Sequence, residues 1–201
     1  MAQEPKRVLV AGATGYLGKY VVGAFKQRGY WVRALARSED RLAKPGPFTA
    51  PGIGPSDVDD IFIGEISRPE TLDGLLDDID IVYSSVGISR QRDGLTFDQV
   101  DYQCNHNLIE LCADSEVERF VYVSMQGADD PAIAGLAITK AHEKVVAELA
   151  ESDLDERIVR PCGYFSDMGA LLGMAKKGRA LLVGEGNNRM SPIYGGDLAQ
   201  V

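Results

Sequence analysis

Short apolar runs alternate with amphipathic stretches along most of the chain. The runs occupy residues 7–11, 31–36, 59–63, 79–84, 119–124 and 156–160. Their length and their valine- and isoleucine-rich, non-alternating sequence are typical of strands that are covered on both faces. Strands that alternate with helices favour parallel pairing through crossover helices. The pattern predicts an α/β fold, a doubly wound parallel sheet with helices on both faces.

The amphipathic stretches carry apolar residues three and four positions apart, as helices do. They predict helices over residues 96–113 and 137–151, and a further helix that opens near residue 18. A short helix is predicted through Leu76, because Ser67, Pro69 and Glu70 form a capping box with proline in the first turn. Residues 44–57, with four prolines and three glycines, are predicted to form a surface loop.

The length of 201 residues suits one globular domain over residues 1–201. A smaller C-terminal segment is expected over about residues 164–201, on the side that faces a substrate. Asp197 resembles a helix N-cap, yet only four residues follow it, which is too few for a stable helix. We therefore expect the natural chain to continue past Val201.

Charge and cysteine content exclude several function classes. The formal net charge of −9 would repel nucleic acid, and the sequence has no evident basic patch. The three cysteines lack CxxC spacing, which argues against a disulfide framework and a metal site. The apolar run at residues 8–10 is far too short for a signal peptide or a membrane span. We predict a cytoplasmic protein without nucleic acid, membrane or metal partners.

A glycine-rich turn follows the first apolar run and precedes a helical pattern. It reads Gly12, Ala13, Thr14, Gly15, Tyr16, Leu17, Gly18. The first glycine permits a tight turn, the second allows the backbone to approach a pyrophosphate, and the third brings the helix close to the sheet. The anion would meet free N–H groups at the positive end of the helix dipole. Strand, turn and helix together predict a Rossmann-type dinucleotide site.

The end of the second strand predicts which nicotinamide cofactor is bound. An acidic residue about 20 positions after the turn would accept hydrogen bonds from the ribose 2′-hydroxyl of NAD. Arg37 and Ser38 stand there instead and suit a 2′-phosphate, with Arg33 as a further cation. The alternative is a solvated Arg37, with Glu39 or Asp40 reaching the ribose. We predict a preference for NADP(H) over NAD(H).

Several segments together resemble the atypical short-chain dehydrogenases/reductases of the NmrA-like kind. They are GATGYLG at 12–18, ALARS at 34–38, FVYVS at 120–124, RIVRP at 157–161 and SPIYGGDLA at 191–199. The resemblance covers essentially the whole chain. It is specific for this superfamily and much less so for one activity, so it implies a nicotinamide-dependent fold without naming a substrate.

The resemblance also implies roles for individual residues. Ser124 matches the family's active-site serine, and Lys140 matches its active-site lysine, which also binds the cofactor. The remaining implied cofactor contacts lie after the third, fourth and sixth strands, at Glu65, Ile66, Ser84, Ser85, Val86, Gly87, Pro161 and Gly163.

One position departs from the family pattern. A typical member carries a tyrosine that exchanges the substrate proton four residues before the lysine, where this chain has Leu136. Without that phenol, ordinary carbonyl reduction lacks its acid. Substitutes would be Lys140, Tyr164 or His142, although His142 is expected to point to another face of its helix. His106 and Asn107 are expected to be helix surface.

Two function hypotheses of different classes follow. The first is an NADP(H)-dependent oxidoreductase that acts on an unidentified small molecule, in which Ser124 and Lys140 polarise the substrate. The second is a non-catalytic NADP(H)-binding redox sensor or an assembly or regulatory protein, which Leu136 favours. A nucleotide-sugar epimerase or dehydratase ranks below both, because it also depends on the missing tyrosine. Either protein is expected to be a monomer or homodimer.

Overall fold

A computed structural model describes residues 4–46, 50–89, 91, 94–179, 185, 187 and 189–201 of the chain. Its centre is one six-stranded sheet in the order β3-β2-β1-β4-β5-β6, and every neighbouring pair is parallel. The strands are β1 Arg7–Ala11, β2 Trp31–Ala36, β3 Asp60–Ile63, β4 Ile81–Ser84, β5 Arg119–Val123 and β6 Asp155–Val159. The predicted doubly wound Rossmann fold is confirmed.

Helices cover both faces of this sheet. They are α1 Tyr16–Gln27, α2 Glu39–Ala43, α3 Cys104–Ala113, α4 Ala137–Glu151, α5 Phe165–Lys176 and α6 Gly195–Leu198. Successive residues of β1 pack on opposite faces of the sheet: Val8 and Val10 pack with α1, whereas Leu9 packs with α3 and α4. No helix in the described part of the chain has the length and apolar character that crossing a membrane requires.

The strand order places a crevice at the carboxyl end of the sheet. The chain leaves β1 toward β2 and β3, then crosses back to form β4 on the opposite side of β1. Loops after β1 and β4 therefore separate at this point, and open sheets bind ligands where the strand order reverses. The glycine-rich turn after β1 lies at this switch point.

The prediction of a short helix through Leu76 is wrong, apart from one turn. Only a 3-10 helix at Pro69–Thr71 forms, and its N-cap, Arg68, has no side-chain cap. The Thr71 hydroxyl bonds the carbonyls of Arg68 and Glu65 instead. Such local bonds compete with helix extension, and the backbone then turns through Gly74, which has a φ of 74°.

The helix predicted over residues 96–113 contains a change of winding. Asp98–Gln103 is a π-helix, and the α-helix proper starts at Cys104. Single π-turns inside helices are rare and are frequent at functional sites. Here the wider turn carries Asp101 into the interior, where its side chain is buried.

The C-terminal segment packs against the back of the nucleotide turn. The Gly195 N–H donates to the Tyr16 hydroxyl at 3.1 Å, and Leu198 is buried beside α1. Ile193 forms a parallel bridge with Tyr164. The four-residue helix α6 begins at Gly195, two residues before the predicted N-cap Asp197. Its contacts with α1 supply the stability that so short a helix lacks alone.

Candidate functional site

The glycine-rich turn brings bare backbone to the crevice. Gly12 has a φ of 85°, a region that L side chains rarely adopt. The Gly15 N–H donates to the Gly12 carbonyl at 2.9 Å and closes the turn. A Cβ on Gly18 would lie 2.1 Å from the Gly12 carbonyl oxygen. Because α1 begins directly after Gly15 and has no acidic residue in its first turn, its N-terminus is suited to an anion.

A cavity of about 510 Å³ opens beside this turn, at the carboxyl ends of β1 to β4. Predicted residues from the turn and from the ends of β2 and β3 line it: Gly12, Thr14, Gly15, Arg37, Glu65 and Ile66. The loop after β4 forms a further wall with Ser85, Val86 and Gly87, which were also predicted. The cavity therefore gathers sequence segments that a dinucleotide's adenosine and phosphate groups would contact.

Other predicted contacts do not line this cavity. Ala13, Leu17 and Gly18 are buried behind the turn, and the Tyr16 ring packs edge-on against Tyr164 at 5.4 Å. Ser84 is also buried. Ser38 is the N-cap residue of α2 and makes no side-chain cap.

Arg33 does not assist Arg37, contrary to the prediction. Its guanidinium pairs with Asp60 at 2.6 Å and donates to the Leu75 carbonyl at 2.8 Å. The neighbouring strand β3 and the loop that contains Leu75 therefore hold the long side chain of Arg33. Arg37 follows the end of β2, is exposed and lines the cavity.

One wall of the cavity was missed by the sequence analysis. It comes from the π-turn and the start of α3, with Gln99, Val100, Gln103 and Cys104. The apolar spacing assigned Val100 and Cys104 to the helix–sheet contact, and nothing in the spacing indicated the change of winding. Burial raises the pKa of Cys104 to about 11, so its thiol stays protonated and unreactive near neutral pH.

Buried polar side chains support the loop after β4. The Ser84 hydroxyl donates to Asn105 Oδ1 at 2.5 Å, and Asn105 Nδ2 donates to the Val86 carbonyl at 3.2 Å. The Ile88 N–H faces both carboxyl oxygens of Asp101, at 3.3 and 3.2 Å. Asp101 and Asn105 were also missed, because a polar residue within an amphipathic pattern is ordinarily assigned to the surface.

The network continues from Asp101 to helix α4 and strand β5. His142 Nε2 lies 3.7 Å from Asp101 Oδ1, and His142 Nδ1 lies 2.6 Å from the Tyr122 hydroxyl. Burial raises the pKa of Asp101 to about 7 and lowers the pKa of His142 to about 4. His142 is buried whereas Lys140 is exposed, so the two side chains lie on different faces of α4, as predicted, and burial makes His142 an unsuitable substrate acid.

The expected catalytic residues lie outside the described cavity lining. The Ser124 hydroxyl is buried without a hydrogen-bond partner among the described residues. Lys140 is exposed, and Leu136, at the N-cap of α4, leaves 53% of its surface exposed. Burial raises the pKa of Tyr164 to about 12, which disfavours it as a replacement acid. None of these side chains lines the described cavity, so none of them stands there as a proton donor.

The residues expected beside the nicotinamide follow β6. Pro161 accepts a backbone hydrogen bond from Gln126 N–H at 3.0 Å, and Gly163 accepts one from Ile193 N–H at 2.9 Å. Both residues are partly buried, and neither lines the described cavity. The Cys162 thiol between them contacts the Ser191 carbonyl.

A separate polar cluster lies where α3 meets α4, outside the cavity lining. His106, Glu110 and Glu148 place ligand atoms within 4.8 Å of one another. His106 Nδ1 and Glu148 Oε1 lie 2.6 Å apart and form a hydrogen bond. Asn107 donates to the Ile66 carbonyl at 2.8 Å. His106 and Asn107 are both partly exposed, as expected of a helix surface, although each also contacts a neighbouring segment.

Known proteins match most of the chain. Residues 12–180 match the family described as NAD(P)H-binding. The sequence is 32% identical over 163 residues, 81% of this chain, to the photosystem II assembly factor Ycf39 of Synechocystis sp.. It is 29% identical over 201 residues, 96% of this chain, to the chloroplastic divinyl chlorophyllide a 8-vinyl-reductase of Zea mays. The chain covers 46% and 49% of these two relatives, about half of each.

A solved structure shares the fold. The Bordetella bronchiseptica enzyme WbmH, solved in complex with NAD+, superposes with a TM-score of 0.75 at 16% sequence identity. The alignment covers 97% of this chain and 70% of that chain.

Proposed function

The chain belongs to the NAD(P)H-binding family of atypical short-chain dehydrogenases/reductases, and from that premise we propose that it is an NADP(H)-dependent oxidoreductase acting on a small molecule. One observation carries the proposal. The bare glycine turn, Arg37 and the loop after β4 line one cavity at the switch point of the sheet. A dinucleotide needs this combination of phosphate, ribose and adenine contacts.

The residues present fit a nicotinamide dinucleotide. Side chains are absent at Gly12 and Gly15, where a pyrophosphate would approach the backbone, and the N-terminus of α1 favours its charge. Glu65 and Ile66 would contact the adenine end from β3, and Val86 and Gly87 the ribose side from β4. When bound, the cofactor supplies hydride transfer, while the protein orients it and excludes water.

Lys140 and Ser124 are proposed to act at the nicotinamide end, beyond the described cavity. Lys140 would bind the nicotinamide ribose, as the family resemblance implies, and its ammonium would favour an anionic oxygen on the substrate. Ser124 carries a buried hydroxyl that still has its hydrogen-bonding capacity unused among the described residues. Pro161 and Gly163 would border the nicotinamide from the end of β6.

Arg37 is proposed to select NADP(H) over NAD(H). Its exposed guanidinium lines the cavity and follows β2, whose end in this fold faces the adenosine ribose. A planar, permanently charged fork binds a phosphate through parallel hydrogen bonds. The hydroxyl of Ser38, at the N-cap of α2, would donate a hydrogen bond to the same phosphate.

The Arg37→Asp variant is expected to bind NADPH about 10- to 100-fold more weakly while NADH affinity stays within about threefold, since a hydrogen bond to a charged group contributes about 1.5–3 kcal/mol. Fluorescence titration with each nucleotide measures both constants. Arg41→Asp is the matched control, because Arg41 is exposed on α2 outside the cavity lining. An unchanged NADPH to NADH ratio in Arg37→Asp would remove Arg37 from the site.

Binding followed by turnover tests the function itself. NADPH and NADH are titrated separately, and absorbance decay is then followed with quinones, enones and aldehydes. Tight NADPH binding with turnover of any member of the panel supports the oxidoreductase. The absence of binding to either nucleotide at millimolar concentration would overturn the proposal.

A second candidate function is a non-catalytic NADP(H)-binding protein with a sensing, assembly or regulatory role. Leu136 favours it, because this largely exposed apolar residue stands where an acid would be needed. The relatives include both kinds of protein by name, an assembly factor and a vinyl-reductase. Tight NADPH binding without turnover across the panel favours this candidate. For either function we propose a cytoplasmic monomer or homodimer, without nucleic acid or membrane partners.

A further inference from the structure

The loop after β4, residues 85–88, rests on the π-turn that precedes α3. The Ile88 N–H faces both oxygens of the Asp101 carboxyl group, at 3.3 and 3.2 Å. A Cβ built on Gly87 would lie 2.7 Å from Asp101 Oδ1, so the loop backbone packs directly on this carboxyl group. Residues 85–88 line the cavity from the opposite side. Asp101 is thus one layer behind the cavity wall.

The contact between Asp101 and the loop is buried, and a second residue reinforces it. Asp101 is 1% exposed, and its own carbonyl accepts a hydrogen bond from Asn105 Nδ2 at 2.7 Å. Asn105 also binds the Val86 carbonyl, so the loop is tied to the helix at two points. A buried carboxyl group is costly unless hydrogen bonds satisfy it, and here the loop backbone supplies those bonds.

We propose that Asp101 is the positioning residue that holds loop 85–88 in its nucleotide-binding shape, and that its ionisation makes nucleotide affinity depend on pH. The proposal rests on the proposed function, since the nucleotide is the ligand of that cavity. Asp101 does not contact the ligand; it acts through the backbone of Ile88 and Gly87.

The ionised carboxyl group is the better support for the loop. A carboxylate accepts hydrogen bonds on both oxygens, whereas a carboxylic acid commits one oxygen to donating. Hydrogen bonds to a carboxylate are also stronger than bonds to a neutral acceptor. Nucleotide affinity therefore rises with pH as Asp101 ionises, and burial places its pKa, about 7, within the accessible range.

The titratable groups that face Asp101 come from three elements. His142 of α4 lies 3.7 Å away, and Tyr122 of β5 lies behind it. Cys104 follows on α3, and its burial keeps it neutral, with a pKa of about 11. Glu143 and Arg160 act on His142 with opposite signs. With His142 neutral above pH 6, Asp101 is the group among these whose charge changes near pH 7.

The test compares NADPH affinity at about pH 6 and pH 8 for wild type, Asp101→Asn and Asp101→Ala. Between about pH 8 and pH 6, wild type is expected to lose several-fold more NADPH affinity than Asp101→Asn loses. The carboxamide of the variant retains an acceptor oxygen and does not titrate. Any titration of the nucleotide's own phosphate affects both proteins alike. Asp101→Ala removes the support and is expected to bind about tenfold more weakly at pH 8.

Asp98→Ala is the matched control, because Asp98 lies on the same π-turn but is exposed and pairs with Lys144. Its affinity and pH profile are expected to equal those of wild type. Hydrogen exchange at the Ile88 amide, measured without nucleotide, is expected to be faster in Asp101→Ala than in Asp98→Ala. This second measurement reports loop support independently of binding.

The outcomes separate the two proposals. If wild type binds NADPH and Asp101→Ala binds equally well, or if Asp101→Asn keeps the full wild-type pH profile, the role of Asp101 is overturned and the proposed function stands. If wild type binds neither nucleotide, the proposed function is overturned together with the nucleotide role of Asp101. Unchanged exchange at Ile88 in Asp101→Ala overturns the positioning role in either case.

Discussion

Substitution of Gly18 by alanine is expected to reduce NADPH affinity by about 100-fold or more and to destabilise the fold by about 1–3 kcal/mol. The added Cβ would lie 2.1 Å from the Gly12 carbonyl oxygen and 2.8 Å from the Ala13 Cα. These atoms belong to the backbone, so no rotamer change relieves the clash. The turn must move away from α1, and the N–H groups that would meet the pyrophosphate move with it.

Gly23→Ala is the matched control, since Gly23 lies on the same helix and a Cβ there meets no atom of the described residues within 4 Å. Alanine is favoured over glycine inside a helix by about 0.5–1 kcal/mol, so this variant is expected to be slightly more stable and to bind NADPH as wild type does. Urea unfolding gives the stabilities, and fluorescence titration gives the affinities. Wild-type affinity in folded Gly18→Ala would contradict a pyrophosphate site at this turn.

The parts of the fold that follow from local sequence were predicted well. Each strand was located within two residues, because runs such as Val8-Leu9-Val10 are buried on both faces and carry an unambiguous signal. The glycine turn was equally clear, since Gly12 and Gly18 are required by backbone geometry alone. The predicted relation to atypical short-chain dehydrogenases/reductases is confirmed by the family match over residues 12–180.

The errors arose where tertiary contacts compete with local pattern. Arg33 was assigned to the nucleotide from its position in the strand, but Asp60 of β3 captures it, and strand pairing is not visible in a sequence. Asp101 lies in the interior because a π-turn adds residues to the winding, which an average helical period cannot predict. The separation of Lys140 from the described cavity is likewise a property of the assembled fold.

The stability of the buried Asp101–His142 pair is expected to depend on pH in opposite directions in two variants. Burial raises the pKa of Asp101 to about 7 from 3.8, so the folded state takes up a proton between these values. The contribution of Asp101 is then largest at low pH and is lost as pH rises through about 7. Burial lowers the pKa of His142 to about 4 from 6.5, so the folded state releases a proton there. Its contribution is present above pH 6.5 and is lost as pH falls through about 4.

In wild type these two contributions nearly cancel between about pH 4.5 and pH 6.5, because one proton is gained and one is lost on folding. In Asp101→Asn, His142 is the one member of the pair that still changes its protonation on folding, so the free energy of unfolding, measured relative to wild type, should rise with pH. His142→Gln leaves Asp101 alone, and the same quantity should fall with pH. A fully titrating group contributes about 1.4 kcal/mol per pH unit, so each difference should reach about 2 kcal/mol over this interval.

Urea unfolding at three pH values across this range measures both differences, and Asp98→Ala serves again as the exposed control, expected to run parallel to wild type. Opposite slopes in the two variants would establish that the proton resides on Asp101 and not on His142. Parallel curves for all the proteins would mean that neither group changes its protonation on folding, which would contradict the raised pKa of Asp101 and the lowered pKa of His142. A difference that falls with pH in His142→Gln, together with a flat difference in Asp101→Asn, would assign the shift to His142 alone and would remove the basis for a titrating loop support at Ile88.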